Sequence, residues 1–251
     1  MAWDHDIGDE PAGALRDRAP DVLAPIDPTA PVGGHHAPTD LPGSLADEPE
    51  HDWAAAEPRL MPLLRPPGSG GTQLGMLDRN QLASEGLRSH AQPVVDEGPA
   101  GLTVAYAIRE GGFDVLVNAD HLLAWGIEPA AMRAAAMANL AAWSATAAWT
   151  DEAEGGRRIL SSDTGEGSDA ARILLPEVRQ HLASELGAGG ANVLVGVPYR
   201  HLLVAGTFRA DDPEFASLFM DFVGANADDS DEPIDRRVFE LVDGELRSFF
   251  P

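Results

Sequence analysis

The sequence predicts an α+β domain, a mixed, largely antiparallel sheet packed by three to four helices, preceded by a disordered acidic, proline-rich tail. Three observations carry this. Residues 101–117, 193–205 and 237–250 each read as paired apolar runs around a short turn, the mark of antiparallel hairpins. Helical periods are interspersed among them without a regular βα repeat, which argues against a doubly wound sheet. Residues 1–57 hold 13 acidic residues, 2 arginines and 8 prolines with no apolar period, so they cannot bury enough surface to offset their ordering entropy. The expected organisation is a tail over 1–57 and one domain over 58–251.

In chain order, Leu60, Met61, Leu63 and Leu64 sit between prolines and predict an extended segment at a sheet edge, where a missing amide donor is tolerated. A flexible glycine-rich loop follows, then a modest helical spacing at Leu74, Leu77, Leu82 and Leu87. Leu102–Ile108 and Phe113–Val117 flank a short turn and read as a hairpin. Asn118 or Asp120 caps a short helix that ends at Gly126. Pro129 opens a longer helix with a buried stripe at Met132, Ala136, Leu140, Trp143 and Ala147.

The acidic stretch 149–156 reads as a loop and Arg157–Ser162 as a short strand. Residues 165–209 carry the densest packing signal. Ser168 is an N-cap candidate, Pro176 restarts a helix, and two nearly all-apolar runs around Tyr199 and Arg200 predict strands in the middle of a sheet. Phe215, Leu218, Phe219 and Phe222 give the clearest amphipathic helix. Asn226–Glu232 reads as an acidic loop, and an Asp243-Gly244 hairpin closes the domain.

Composition excludes several classes of function. The net charge of −24, from 41 acidic against 17 basic residues, opposes counterion release from phosphates and so argues against nucleic acid as a partner. The same charge repels anionic lipid, and no apolar run reaches a membrane-spanning length, so no membrane partner is expected. All 17 basic residues are arginine, a bias of the source proteome and not of function. The absence of cysteine removes thiol nucleophiles, disulfides and cysteine metal sites and fits a cytoplasmic protein. The acidic N-terminus MAWDHDIGDE lacks the basic and apolar regions of a signal peptide, which predicts no export.

Motifs with defined chemistry are missing. SSDTGEGSD at 161–169 has the wrong spacing for a calcium loop, with Leu174 where the bidentate Glu belongs. GAGG at 187–190 follows a helix and precedes a strand, the reverse of a dinucleotide-binding turn. There is no GxSxG, HExxH or Walker sequence. The His35-His36 pair lacks a fold to hold a metal in geometry. No cofactor and no metal are expected.

The string DAARILLPEVRQHLASELG at 169–187, followed by VLVGVPYRHLLVAG at 193–206, resembles the hallmark of the YtpQ-like bacterial proteins, a family of unknown function. The resemblance covers roughly residues 58–250 and leaves the tail outside it. It implies a cytoplasmic bacterial α+β protein and brings no activity.

Two readings of the hallmark stand side by side. In one, Asp169, Arg172, Tyr199, Arg200 and His201 share a rim where Arg172 anchors an anion, Asp169 orients it and His201 transfers a proton, as in an enzyme or small-anion binder. In the other, Arg172 and its carboxylate brace a helix to a loop. No nucleophile or second carboxylate is tied to the rim, which favours the brace and a non-catalytic binding or protein-interaction module, with a protein as its partner.

Overall fold

A computed structural model describes residues 49–86, 92–111 and 113–250. All of them lie within the compact unit Pro42–Pro251. The expected tail falls outside the described residues up to Glu48. The rest of it is folded: Asp52 caps α1 (Trp53–Ala56), Ala56 is fully buried, and the Trp125 indole donates to the Pro49 carbonyl at 2.8 Å. The acidic, proline-rich average of the tail hides these locally apolar residues, whose burial against Trp125 supplies what composition lacks.

The fold is α+β, built on two sheets where one was expected. The first holds β1 (Leu60–Arg65), β2 (Thr72–Gln73), β3 (Val94–Glu97), β4 (Thr103–Glu110) and β5 (Phe113–Leu116). Its order is β1-β4-β3-β2 with β5 beside β4, and only β2–β3 is parallel. Pro62 lies in β1 at the edge, as its missing donor requires. Helix α2 (Arg79–Gly86) stands between β2 and β3. After β5, Asn118 and His121 form a reciprocal capping box on α3 (Ala119–Trp125), and α4 (Pro129–Ser144) buries Met132, Ala136 and Leu140.

The second sheet is wholly antiparallel. It comprises β6 (Thr150–Glu154), β7 (Arg157–Ser162), β8 (Asn192–Tyr199), β9 (Leu202–Phe208), β10 (Val238–Val242) and β11 (Glu245–Ser248), in the order β11-β10-β8-β9-β7-β6. The apolar β8–β9 hairpin is therefore central. Asp243 and Gly244 take positive φ of 53° and 79°, the two-residue turn that the Asp-Gly pair predicts.

Period-two alternation gives this sheet two buried faces. Leu160, Val193, Val195, Leu203, Ala205 and Phe239 point into the main core, which runs on through a 3-10 turn at Ala170–Leu174, α5 (Pro176–Leu186) and the first sheet. Leu194, Leu202, Val204 and Val238 face α6 (Pro213–Asp228) in a separate cluster with Phe215, Ala216, Phe219 and Val223. Gly196 and Gly206 admit the helix: a Cβ on Gly196 would lie 2.4 Å from Val223 Cγ2, and one on Gly206 2.7 Å from Phe215 Cζ. Among the described residues, no helix is long and apolar enough to cross a membrane.

Candidate functional site

The five residues singled out by sequence divide among three places. Asp169 is fully buried and accepts from the Ser162 hydroxyl at 2.6 Å, the Thr164 amide at 3.1 Å and the Thr164 hydroxyl at 2.9 Å. Arg172, 2% exposed, donates five hydrogen bonds: Nε to Ser144 Oγ, Nη1 to Ser162 Oγ and the Ala148 carbonyl, Nη2 to the Ser144 and Ala147 carbonyls. Its guanidinium also lies 4.0 Å from the Trp149 ring centroid. A guanidinium has five N–H groups, so none is left for an outside anion.

Asp169 and Arg172 make no direct ion pair; the Ser162 hydroxyl stands between them, accepting from the arginine and donating to the carboxylate. Burial pulls Arg172 down to about 10, and the Asp169 charge opposes that shift. Ser168 does not cap the turn, because its hydroxyl accepts from the Arg109 guanidinium. A tertiary partner takes the place of the local cap.

Arg200 turns the other way. Its guanidinium pairs with Asp114 and, at 3.4 Å, with Glu232, beside a cavity of about 360 Å³. Tyr199 and His201 are half-buried neighbours with ring centroids 6.3 Å apart, but Tyr199 lines a second cavity of about 1100 Å³ and His201 lines neither. The structure thus joins Asp169 to Arg172 through Ser162 and spreads Tyr199, Arg200 and His201 over separate surfaces.

A cavity of about 1100 Å³, the largest of the three described, is a groove that the sequence reading missed. One wall is α6, with Leu218 52% and Phe222 47% exposed. The floor is Ile159, Leu202 and Val204 from β7 and β9. The far rim is Glu152 and Glu154 of β6 with Asp163, none of which has an ion pair among the described residues. Within the stretch 149–156, expected to be a loop, residues 150–154 form strand β6: five register pairs with β7 hold it in place, from Thr150↔Ser161 to Glu154↔Arg157.

One end of the groove is fixed by Arg157. Its guanidinium binds both Asp212 oxygens, at 2.6 and 2.8 Å, and Glu214 at 3.0 Å, and it lies 5.8 Å from the Phe215 ring centroid. Asp212 also caps α6 through the Phe215 amide, and its bond to Arg157 holds the carboxyl below the usual range. The latch ties the β6–β7 hairpin to the helix, so the groove is formed before any ligand arrives.

Comparison with known protein families, with curated proteins and with solved structures gives no match. The chemistry rests on the groove's own residues. A third cavity, about 600 Å³, has its Tyr106, Asp96 and Arg133 groups bonded to one another. Among the described residues, no three His, Asp or Glu are placed to hold a metal; the His35-His36 pair lies outside them.

A signal for the groove was present in the sequence. Phe215, Ala216, Leu218, Phe219, Met220, Phe222 and Val223 cover an apolar arc wider than the roughly 100° that one sheet face buries. The surplus, Leu218 and Phe222, has to face something else.

Proposed function

We propose that this chain is a non-catalytic binding module whose α6 groove takes an apolar segment of a partner protein with cationic groups at its flank. The observation that carries the reading is one preformed groove with half-exposed Leu218 and Phe222 on one wall and three unpaired carboxylates on the other. An apolar ligand gains from covering the first, and a cationic flank gains from the second. The saturated donors of Arg172 favour the brace over the anion anchor at the hallmark. The hallmark strings support kinship with the YtpQ-like proteins and a cytoplasmic setting, and neither adds an activity.

The test uses a neutral apolar dye, Nile red, with the full chain. The expected result is enhanced fluorescence that falls at least about tenfold in affinity in Leu218→Ser/Phe222→Ser, while Tm shifts by only a few degrees because both side chains are half-exposed. Equal dye binding by the variant and the native chain sinks the reading.

A further inference from the structure

We infer that the groove's occupant is a basic amphipathic helix of about three turns, laid beside α6 to complete a two-helix layer on the second sheet. This rests on the reading of the groove as a binding site and adds the shape, length and charge of what binds. The argument for a helix comes from the wall. Leu218, Phe222 and Asn226 all line the groove at spacings of four, which is one ridge of an α-helix, the surface into which a second helix packs at an axial distance of about 8–10 Å.

The length follows from the same residues. Lining from α6 extends from Phe215 to Asn226, about 17 Å at 1.5 Å per residue. The lining along β7, from Arg157 to Asp163 just past the strand's end, extends about 20 Å at 3.3 Å per residue. Both spans match a helix of about 11–13 residues.

Position in the layer points the same way. On the α6 face of the sheet, the helix covers β8, β9 and β10 and its cluster reaches partly buried Ile159 of β7, while Ser161 of β7 and Glu152 and Glu154 of β6 stand beyond it. The uncovered strip lies between a helix ridge and an edge strand, which is the place of a second helix in a two-layer α/β packing.

Charge selects the partner. Asp151 points to the opposite face of β6, where Arg158 neutralises it, so Glu152, Glu154 and Asp163 present the open rim. A second copy of a chain with net charge −24 is repelled there, and so is the chain's own acidic segment 1–48. The complementary helix carries Leu-type residues at i, i+3, i+4 and i+7 and Arg or Lys on the flank that faces β6.

The experiment measures fluorescence anisotropy of labelled 14-residue peptides against the full chain at low salt. The probes are a Leu/Arg/Ala peptide with helical apolar spacing, the same composition rearranged to alternate as a strand, and the helical peptide with Glu for Arg. Binding of the first, at least tenfold tighter than either other, with a gain of helical circular dichroism, supports the inference. So does an affinity about tenfold weaker for Glu152→Gln/Glu154→Gln, with the difference shrinking as salt rises.

Equal binding of the alternating or the acidic peptide overturns the inference, as does no binding of any peptide. So does sedimentation showing a dimer that Phe222→Ser dissolves, since a second copy then fills the groove. In each of these cases an intact Nile red signal that Leu218→Ser/Phe222→Ser removes leaves the groove reading standing, and its loss takes both down together.

Discussion

Replacing Arg172 by Met keeps the unbranched stem as far as the position of Nε and removes the rest of the guanidinium with all five donors. The acceptors left behind are the Ser144 and Ser162 hydroxyls and the Ser144, Ala147 and Ala148 carbonyls, around a side chain only 2% exposed. Buried acceptors stripped of a charged donor cost about 1–3 kcal/mol each before relaxation, and taking one member from a buried charged network costs about 3–5 kcal/mol in total. We expect about 4 kcal/mol for Arg172→Met, a large part of a typical stability of about 5–15 kcal/mol. Lysine keeps the charge but has three donors and no planar fork to stack on Trp149, so Arg172→Lys is expected to cost about 2 kcal/mol. Urea unfolding reads both, with an unchanged m-value showing that stability and not compactness moved. Thermal midpoints should fall by about 8–16 °C for Met, at about 2–4 °C per kcal/mol for a domain of this size. Adding Asp169→Asn should give a clear coupling energy through Ser162. A loss below about 1 kcal/mol for Arg172→Met refutes the brace, because it means the five bonds are not committed to the fold.

Two further predictions concern the packing that positions the groove and the start of α3. Gly196→Ala places a Cβ 2.4 Å from Val223 Cγ2 and should cost about 2 kcal/mol in denaturant unfolding. Val223→Ala in the same chain should cost less than the sum of the singles, because it removes the atoms the new methyl meets. His121 accepts the Asn118 amide on Nδ1 and burial lowers its pKa, so its folded ring stays neutral where the unfolded ring has begun to bind a proton. The unfolded state then holds more protons, and stability should fall as pH drops from about 6.5 through the depressed folded value. His121→Gln, which can keep the capping box, should flatten the stability curve over that window, and an unchanged slope would count against the neutral ring.

The central hairpin, the β4–β5 hairpin and the Asp-Gly closure were legible in the sequence because each is local: an apolar run, a turn and a second run within about 15 residues. The strand β6 was not, because Thr-Asp-Glu-Ala-Glu has little β-propensity of its own and is held by its register with Arg157–Ser161. Asp169 has local partners in Ser162 and Thr164, but what Arg172 does depends on Ser144, Ala147 and Ala148, more than 20 residues earlier in the chain. Arg200 was read as part of their rim, whereas its partner Asp114 lies 86 residues away, a distance no local pattern reports. The α6 stripe has the period the sequence predicts, but an amphipathic pattern does not tell which of its apolar residues, here Leu218 and Phe222, stay half-exposed along a groove.

The division of the apolar interior into two clusters gives α6 an energetic character unlike that of α4 or α5. Its face of Phe215, Ala216, Phe219 and Val223 rests on four buried sheet side chains, Leu194, Leu202, Val204 and Val238, none of which belongs to the main core. Lifting the helix therefore uncovers one face of the second sheet and leaves the other face, the Arg172 network and the first sheet intact. Pro213–Asp228 is therefore expected to open as a separate unit once the Arg157–Asp212 latch lets go, which amide hydrogen exchange reads as weaker protection in α6 than in β8 and β9. An occupant that packs on Leu218 and Phe222 while its cations hold the β6 rim bridges this unit to the rest of the sheet. Binding would then be felt first as slower opening of α6, a rigidity change that needs no displacement of the chain.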